Sequence, residues 1–178
     1  MSRPWKGTVT VLVMVFLLAG LAGQVGCANS APEWESGWST AVSGGDDYTL
    51  YGVWGTSPTN VYAVGVDDRS ERGVILHYKG GKWSATKVGT VESFLEGVWG
   101  TSSSDVFAVG GHNTILHYDG TAWSAMTSAS SDDDDLYAVW GTSPSDVFCV
   151  GRQGTIQHYD GNTWSLMKSS ATKYLEGV

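Results

Sequence analysis

Cysteine is nearly absent from this 178-residue chain, which carries two, Cys27 and Cys149. Two thiols leave no disulfide framework to hold a fold together. Positive charge is scarce: ten Lys and Arg stand against eighteen Asp and Glu, a formal −8. Gathering nucleic-acid phosphates needs a basic surface, so this balance argues against a nucleic-acid partner. Charged residues of both signs amount to 16%, far below the Glu- and Lys-rich make-up of a coiled coil or helical bundle. No long apolar run exists either. The longest, Val9 to Ala22, falls short of the roughly 20 residues of a membrane-spanning helix. What is plentiful is glycine, with 24 residues, and tryptophan, with nine, inside a hydrophobic fraction of 42%. That fraction excludes global disorder.

Residues 1–27 read as an export segment. Arg3 and Lys6 supply a short positive region, and Thr8 to Gly23 is free of charge around its apolar core, the layout of a secretory signal. Gln24-Val-Gly-Cys27 resembles a bacterial lipobox, with Gln24 where Leu is preferred. On that resemblance Cys27 is lipidated and becomes the mature N-terminus. The alternative is ordinary cleavage after Ala28. Either product is exported, to the outer membrane or periplasm as a lipoprotein or else by secretion. The mature chain keeps eight basic and eighteen acidic residues, a formal −10, and anionic lipid repels such a domain. Membrane attachment therefore rests on lipid at Cys27 alone.

Internal repetition decides the fold. Leu50 to Gly65 recurs as Leu95 to Gly110 and as Leu136 to Gly151, and the leading leucines Leu50, Leu95, Leu136 and Leu175 lie 45, 41 and 39 residues apart. A period near 40 residues means a propeller or an array. Each period holds four apolar runs; in the second copy they are Leu95 to Trp99, Val106 to Val109, Thr114 to Tyr118 and Trp123 to Met126. Pro58 and Pro144 preset a turn between the first two runs, where Asn60, Asp105 and Asp146 can bond nearby backbone amides. Gly80, Gly120 and Gly161 suit the last hairpin. Val106-Phe-Ala-Val109 is apolar at every position, so both faces of its strand are expected to be buried. The expected fold is all-β: a partial β-propeller of about three four-stranded antiparallel blades after an N-terminal signal helix. Its divisions are a linker at 28–33 and repeats over 34–178, with blades near 50–94, 95–135 and 136–174. A closing-type strand falls near 34–40, where Trp38-Ser39 matches the fourth-strand motif. Leu175 to Val178 open a truncated blade. The sequence thus reads as an incomplete ring, expected to need further repeats or to self-associate.

The pattern Gly-Val-Trp-Gly-Thr-Ser-Pro-Ser-Asp-Val-Phe-Ala-Val-Gly, followed by Ile-Leu-His-Tyr-Asp-Gly and Trp-Ser, resembles repeats of exported bacterial lipoproteins of myxobacterial type. More distantly it is similar to bacterial neuraminidase (Asp-box) repeats and to photosystem II assembly-factor propellers. An Asp box reads Ser-x-Asp-x-Gly-x-Thr-Trp, and Asp160 to Trp164 is one residue shorter. The resemblance implies a propeller over about 34–178.

Candidate sites are few. His77, His117 and His158 recur at one strand position; three histidines can bind zinc, but equivalent positions sit on separate sheets, so packing or hydrogen bonding once per blade is expected. Trp54, Trp99 and Trp140, with Trp83, Trp123 and Trp164, are expected to fill core between blades rather than to stack on sugar. Asp132, Asp133, Asp134 and Asp135 are weak calcium candidates; an unbroken run lacks the spacing of a calcium loop, and a solvated charge run is expected. The insertion carrying Asp67, Asp68, Arg69, Glu71 and Arg72 ranks first as an interaction loop, because insertions in repeats map to one face. Cys149 stands where the sister repeats have Ala63 and Ala108, a small buried residue. The resemblance to neuraminidases would imply an arginine clamp, but the mature chain has only Arg69, Arg72 and Arg152, two of them in one insertion. The reading is a non-catalytic interaction or scaffold module of the cell envelope, with no cofactor and a protein or glycan ligand; a sialidase-like glycoside hydrolase is the alternative.

Overall fold

The computed structural model describes residues 47–88, 93–130 and 134–178; Cys27, Trp38, Asp132 and Asp133 lie outside the described residues. The strands form three antiparallel four-stranded sheets, each in sequential order. The first holds β1 (Tyr48–Ser57), β2 (Asn60–Asp67), β3 (Arg72–Lys79) and β4 (Lys82–Lys87). The second holds β5 (Leu95–Ser102), β6 (Asp105–Gly110), β7 (Thr114–Tyr118) and β8 (Trp123–Ala125). The third holds β9 (Leu136–Ser143), β10 (Asp146–Gly151), β11 (Ile156–Tyr159) and β12 (Trp164–Leu166). No α-helix occurs among the described residues; one 3-10 turn spans Arg152–Gly154. β1 packs against β5 and β5 against β9, so the first strands of the blades gather on one side. This is β-propeller architecture.

The sheets stack through two apolar layers, and the repeat pattern explains both. Between the first two blades lie Tyr62, Val64 and Ile75 against Leu95, Val98, Val106, Ala108 and Leu116. Between the next two lie Phe107, Val109 and Ile115 against Leu136, Val139, Val147 and Cys149. Val106 to Val109 are buried throughout, as an uninterrupted apolar strand between two neighbours must be. Cys149 is fully buried, and that burial pushes its thiol up to about 12.

The tryptophans occupy three kinds of place. Trp54 and Trp99 lie across the glycine of the next blade; a Cβ on Gly100 or Gly141 would come within 2.8 Å of the indole edge. Trp123 and Trp164 reach back to the preceding blade, their rings 6.2 Å from Tyr62 and 6.4 Å from Phe107. Trp83 stays within its own blade beside Tyr78. Trp140 is 45% exposed among the described residues.

The connection between first and second strands differs from the sequence expectation. Asp105 and Asp146 bond side chains, not turn amides. Each accepts from the histidine Nε2 on the adjacent strand, His117 at 2.6 Å and His158 at 2.8 Å, and from the hydroxyl of Thr101 or Thr142. Asn60 meets His77 at 3.1 Å. The turn amides of Thr59, Ser104 and Ser145 donate instead to the hydroxyls of Ser57, Ser102 and Ser143. Each imidazole also lies against the aromatic ring on the second strand, Tyr62, Phe107 or Phe148. In the third-to-fourth hairpin, Gly120 and Gly161 have φ of +91° and +94°, a region glycine enters without strain. Asp119 and Asp160 close that hairpin by accepting two amides each, which holds both carboxyls below the usual range.

Candidate functional site

The first strand of every blade carries a β-bulge directly after its leading leucine. Leu50 pairs with Gly65 and Gly52 with Val64, leaving Tyr51 unpaired. Leu95 pairs with Gly110 and Gly97 with Val109, leaving Glu96. Leu136 pairs with Gly151 and Ala138 with Val150, leaving Tyr137. A bulge releases one residue from the ladder and re-aims its side chain. The glycine opposite is required by close approach: a Cβ on Gly65, Gly110 or Gly151 would sit 2.0 to 2.1 Å from the carbonyl oxygen of Thr49, Phe94 or Asp135. The Val-Gly ending of each repeat is thus the counterpart of the bulge.

The three released side chains converge. Tyr51, Glu96 and Tyr137, joined by Tyr174 and Glu176, line one cleft of about 520 Å³ where the first strands meet. Tyr174 and Glu176 come from the segment after β12, anchored where the Leu175 amide donates to the Gly151 carbonyl at 3.0 Å. The rings are braced from behind: Tyr137 meets Tyr174 edge to face at 6.0 Å, and Tyr51 meets Phe94 in the same manner at 6.4 Å. Tyr51 remains half exposed.

The field in the cleft is negative. Burial, then the neighbouring Asp135, pushes the Glu96 carboxyl above its ordinary value. The Tyr51 phenol is raised by burial, then by Glu96 and Asp68. Burial also raises Tyr137, with Asp135 adding and Arg152 opposing.

The predicted site residues scatter around this cleft. Asp68 borders it, its carboxylate accepting from the Thr49 hydroxyl at 3.0 Å. Asp67, in contrast, is no free member of an interaction loop: it is 2% exposed and ion-paired with Lys87 Nζ at 2.6 Å. Lys87 and the Arg69 amide hold its carboxyl down at about 2. Arg69 lies near Asp47 at 3.6 Å, Glu71 has a positive φ of 56° at the hairpin, and Arg72 opens β3. The acidic run is also not uniformly solvated. Asp134 is 4% exposed and accepts from Gln153 Nε2 and Thr155 Oγ1, because its carboxylate ties the loop before β9 to the hairpin of the third blade. Asp135 accepts from the His112 amide. His77, His117 and His158 sit one per sheet. Among the described residues no group of three His, Cys, Asp or Glu comes together as a metal site.

The cleft itself escaped the sequence reading, although a signal existed. Within a nearly constant repeat, the position after the leading leucine reads Tyr, Glu, Tyr, Glu at 51, 96, 137 and 176. The other differences between the copies are mostly between similar residues; a swap of an aromatic for a carboxylate marks a residue freed from the packing duties of its neighbours.

Bulged blades around a shared cleft define a β-propeller with a cleft where its first strands meet. Among solved structures the chain is similar to YCF48 bound to D1 peptide, with 15% identity and a TM-score of 0.59 over 71% of this chain and 43% of that one. It is also similar to YCF48 from Cyanidioschyzon merolae, with 17% identity and a TM-score of 0.58 over 73% and 43%. These are propellers of the photosystem II assembly-factor type, and at this identity they establish the fold. The chain spans less than half the length of either. No family model matches the sequence, and no curated protein does.

Proposed function

We propose that this chain is a non-catalytic interaction module that receives an extended peptide in the cleft. One observation carries the reading: each blade spends its bulge residue on the same cavity, and bulges concentrate where a side chain is aimed at a site. The recurring His and Asp groups that would serve acid–base chemistry are engaged in hydrogen bonds that hold the blade together. The YCF48 structure with D1 peptide supports the peptide reading, because a propeller of the same fold holds one. Export belongs to this proposal. The charge-free segment ending at Gly26-Cys27 fits a lipid-anchored envelope protein, checked by intact mass of the exported product: a mature chain starting after Ala28 without lipid mass refutes the anchor. For the module itself, the test is selection of displayed random heptapeptides on the purified chain. Selected peptides are expected to lose binding to Tyr137→Ala and keep it to a Trp83→Phe control. Peptides that bind both variants alike, or no selected peptide at all, would overturn the proposal.

A further inference from the structure

Resting on the reading of the cleft as the peptide site, we infer that it takes a cationic side chain of the peptide, arginine or lysine. Tyr51, Tyr137 and Tyr174 supply the ring faces, and Glu96 and Glu176 the countercharge.

Two features of the cleft require this ligand class. The first is composition: among the described residues, three phenol rings and two carboxylates line its wall. The electron-rich face of an aromatic ring attracts an ammonium or guanidinium within about 6 Å of its centre, and a flanking carboxylate adds charge-assisted hydrogen bonds. The edge-to-face pairing of Tyr137 with Tyr174 sets two rings at 69° to each other, two walls of a corner.

The second feature is uncompensated charge. Burial and Asp135 both disfavour the ionised form of Glu96, and Asp68 and Glu96 act in the same sense on Tyr51. Arg152 opposes this field at Tyr137. A cleft that holds Glu96 and Glu176 on its wall, with Asp135 and burial both acting against the ionised form of Glu96, gains most from an incoming positive charge. A guanidinium or long ammonium side chain also reaches into a 520 Å³ cleft while its backbone stays on the open face beside half-exposed Tyr51. The chemistry is shared by free small cations, so the experiment separates the two sources.

The test is titration of the full chain with four Gly/Ser heptapeptides whose central residue is Arg, Lys, Gln or Glu, together with free spermidine. Arg and Lys peptides are expected to bind about five- to thirtyfold more tightly than the Gln peptide, the range that a cation over aromatic faces supplies. The Glu peptide is expected to be weakest. Glu96→Gln and Tyr51→Leu should each erase most of the Arg-over-Gln preference, and Tyr51→Phe, which keeps the ring, should preserve it. Equal affinity for Arg and Gln peptides, with loss of both on Tyr137→Ala, overturns the cation inference and leaves the peptide reading standing. Absence of binding by any peptide overturns both. Spermidine binding as tightly as the Arg peptide overturns the peptide as source of the cation.

Discussion

Gln157 is the position where repeat logic and structure disagree about a single substitution. The sister repeats have Leu76 and Leu116 there, and all three face a short apolar pair on their own sheet. A consensus argument makes Gln157→Leu stabilising, by about 0.5–2 kcal/mol. The structure predicts the opposite sign. Gln157 is fully buried, and its amide stitches the third blade to the second: the oxygen accepts from the Ala129 amide at 2.8 Å and the Ser128 hydroxyl at 3.0 Å, and the nitrogen donates to Asn113 Oδ1 at 3.3 Å. Leucine abolishes three hydrogen bonds worth about 1 kcal/mol net each and leaves the partners to find water. Its extra apolar burial returns about 1–1.5 kcal/mol. The net is a loss of about 2 kcal/mol. For a chain of this size that lowers Tm by about 4–8 °C, read by calorimetry at neutral pH. A Tm equal to or above the parent would refute the assignment of Gln157 as a stitch between blades.

Two first-strand tryptophans should separate by context: Trp99→Ala costs about 2–4 kcal/mol because the indole packs on Gly141 of the next blade, and Trp140→Ala, 45% exposed, costs about 1 kcal/mol; chemical denaturation giving equal losses would sink the seam argument. Asp67 titrates at about 2 in the fold, below its ordinary carboxylate value, so its contribution is complete above about pH 5 and is lost as pH falls toward 2. Asp67→Asn should therefore flatten the stability profile between those limits, and an unchanged slope in acid denaturation would show that the Lys87 pair carries no linkage.

Architecture was legible because propeller blades repeat. Leu50, Leu95 and Leu136 announce the first strand each time, and the uninterrupted apolar run of Val106 to Val109 requires neighbours on both faces. Turn glycines such as Gly120 carry their own conformational reason. The cleft was legible only as the Tyr–Glu variation after each leading leucine, because a bulge depends on which residue is left out of pairing, and that is set by register against Gly110 rather than by the identity of Glu96. Hydrogen bonding across sequence distance was hidden for the same reason: Asp105 reads as a turn residue until His117 is placed 2.6 Å away, and Asp134 reads as a solvated acid until the third-blade hairpin folds over it. Exposure of Trp140 depends on what faces it, which no local pattern reports.

The bulge residues also have a consequence for how such a protein can change. A side chain outside the ladder can be exchanged without altering the pairing, the apolar layers or the Trp-on-Gly seams, since none of these involves positions 51, 96 or 137. On the peptide reading proposed above, recognition is written one letter per blade, in an alphabet separate from the one that specifies folding. Duplicating a blade adds a letter, and substituting the bulge residue rewrites one. Lineages built from these repeats can diverge in what they bind at nearly constant stability, and the same independence makes those three positions the natural sites for a randomised library.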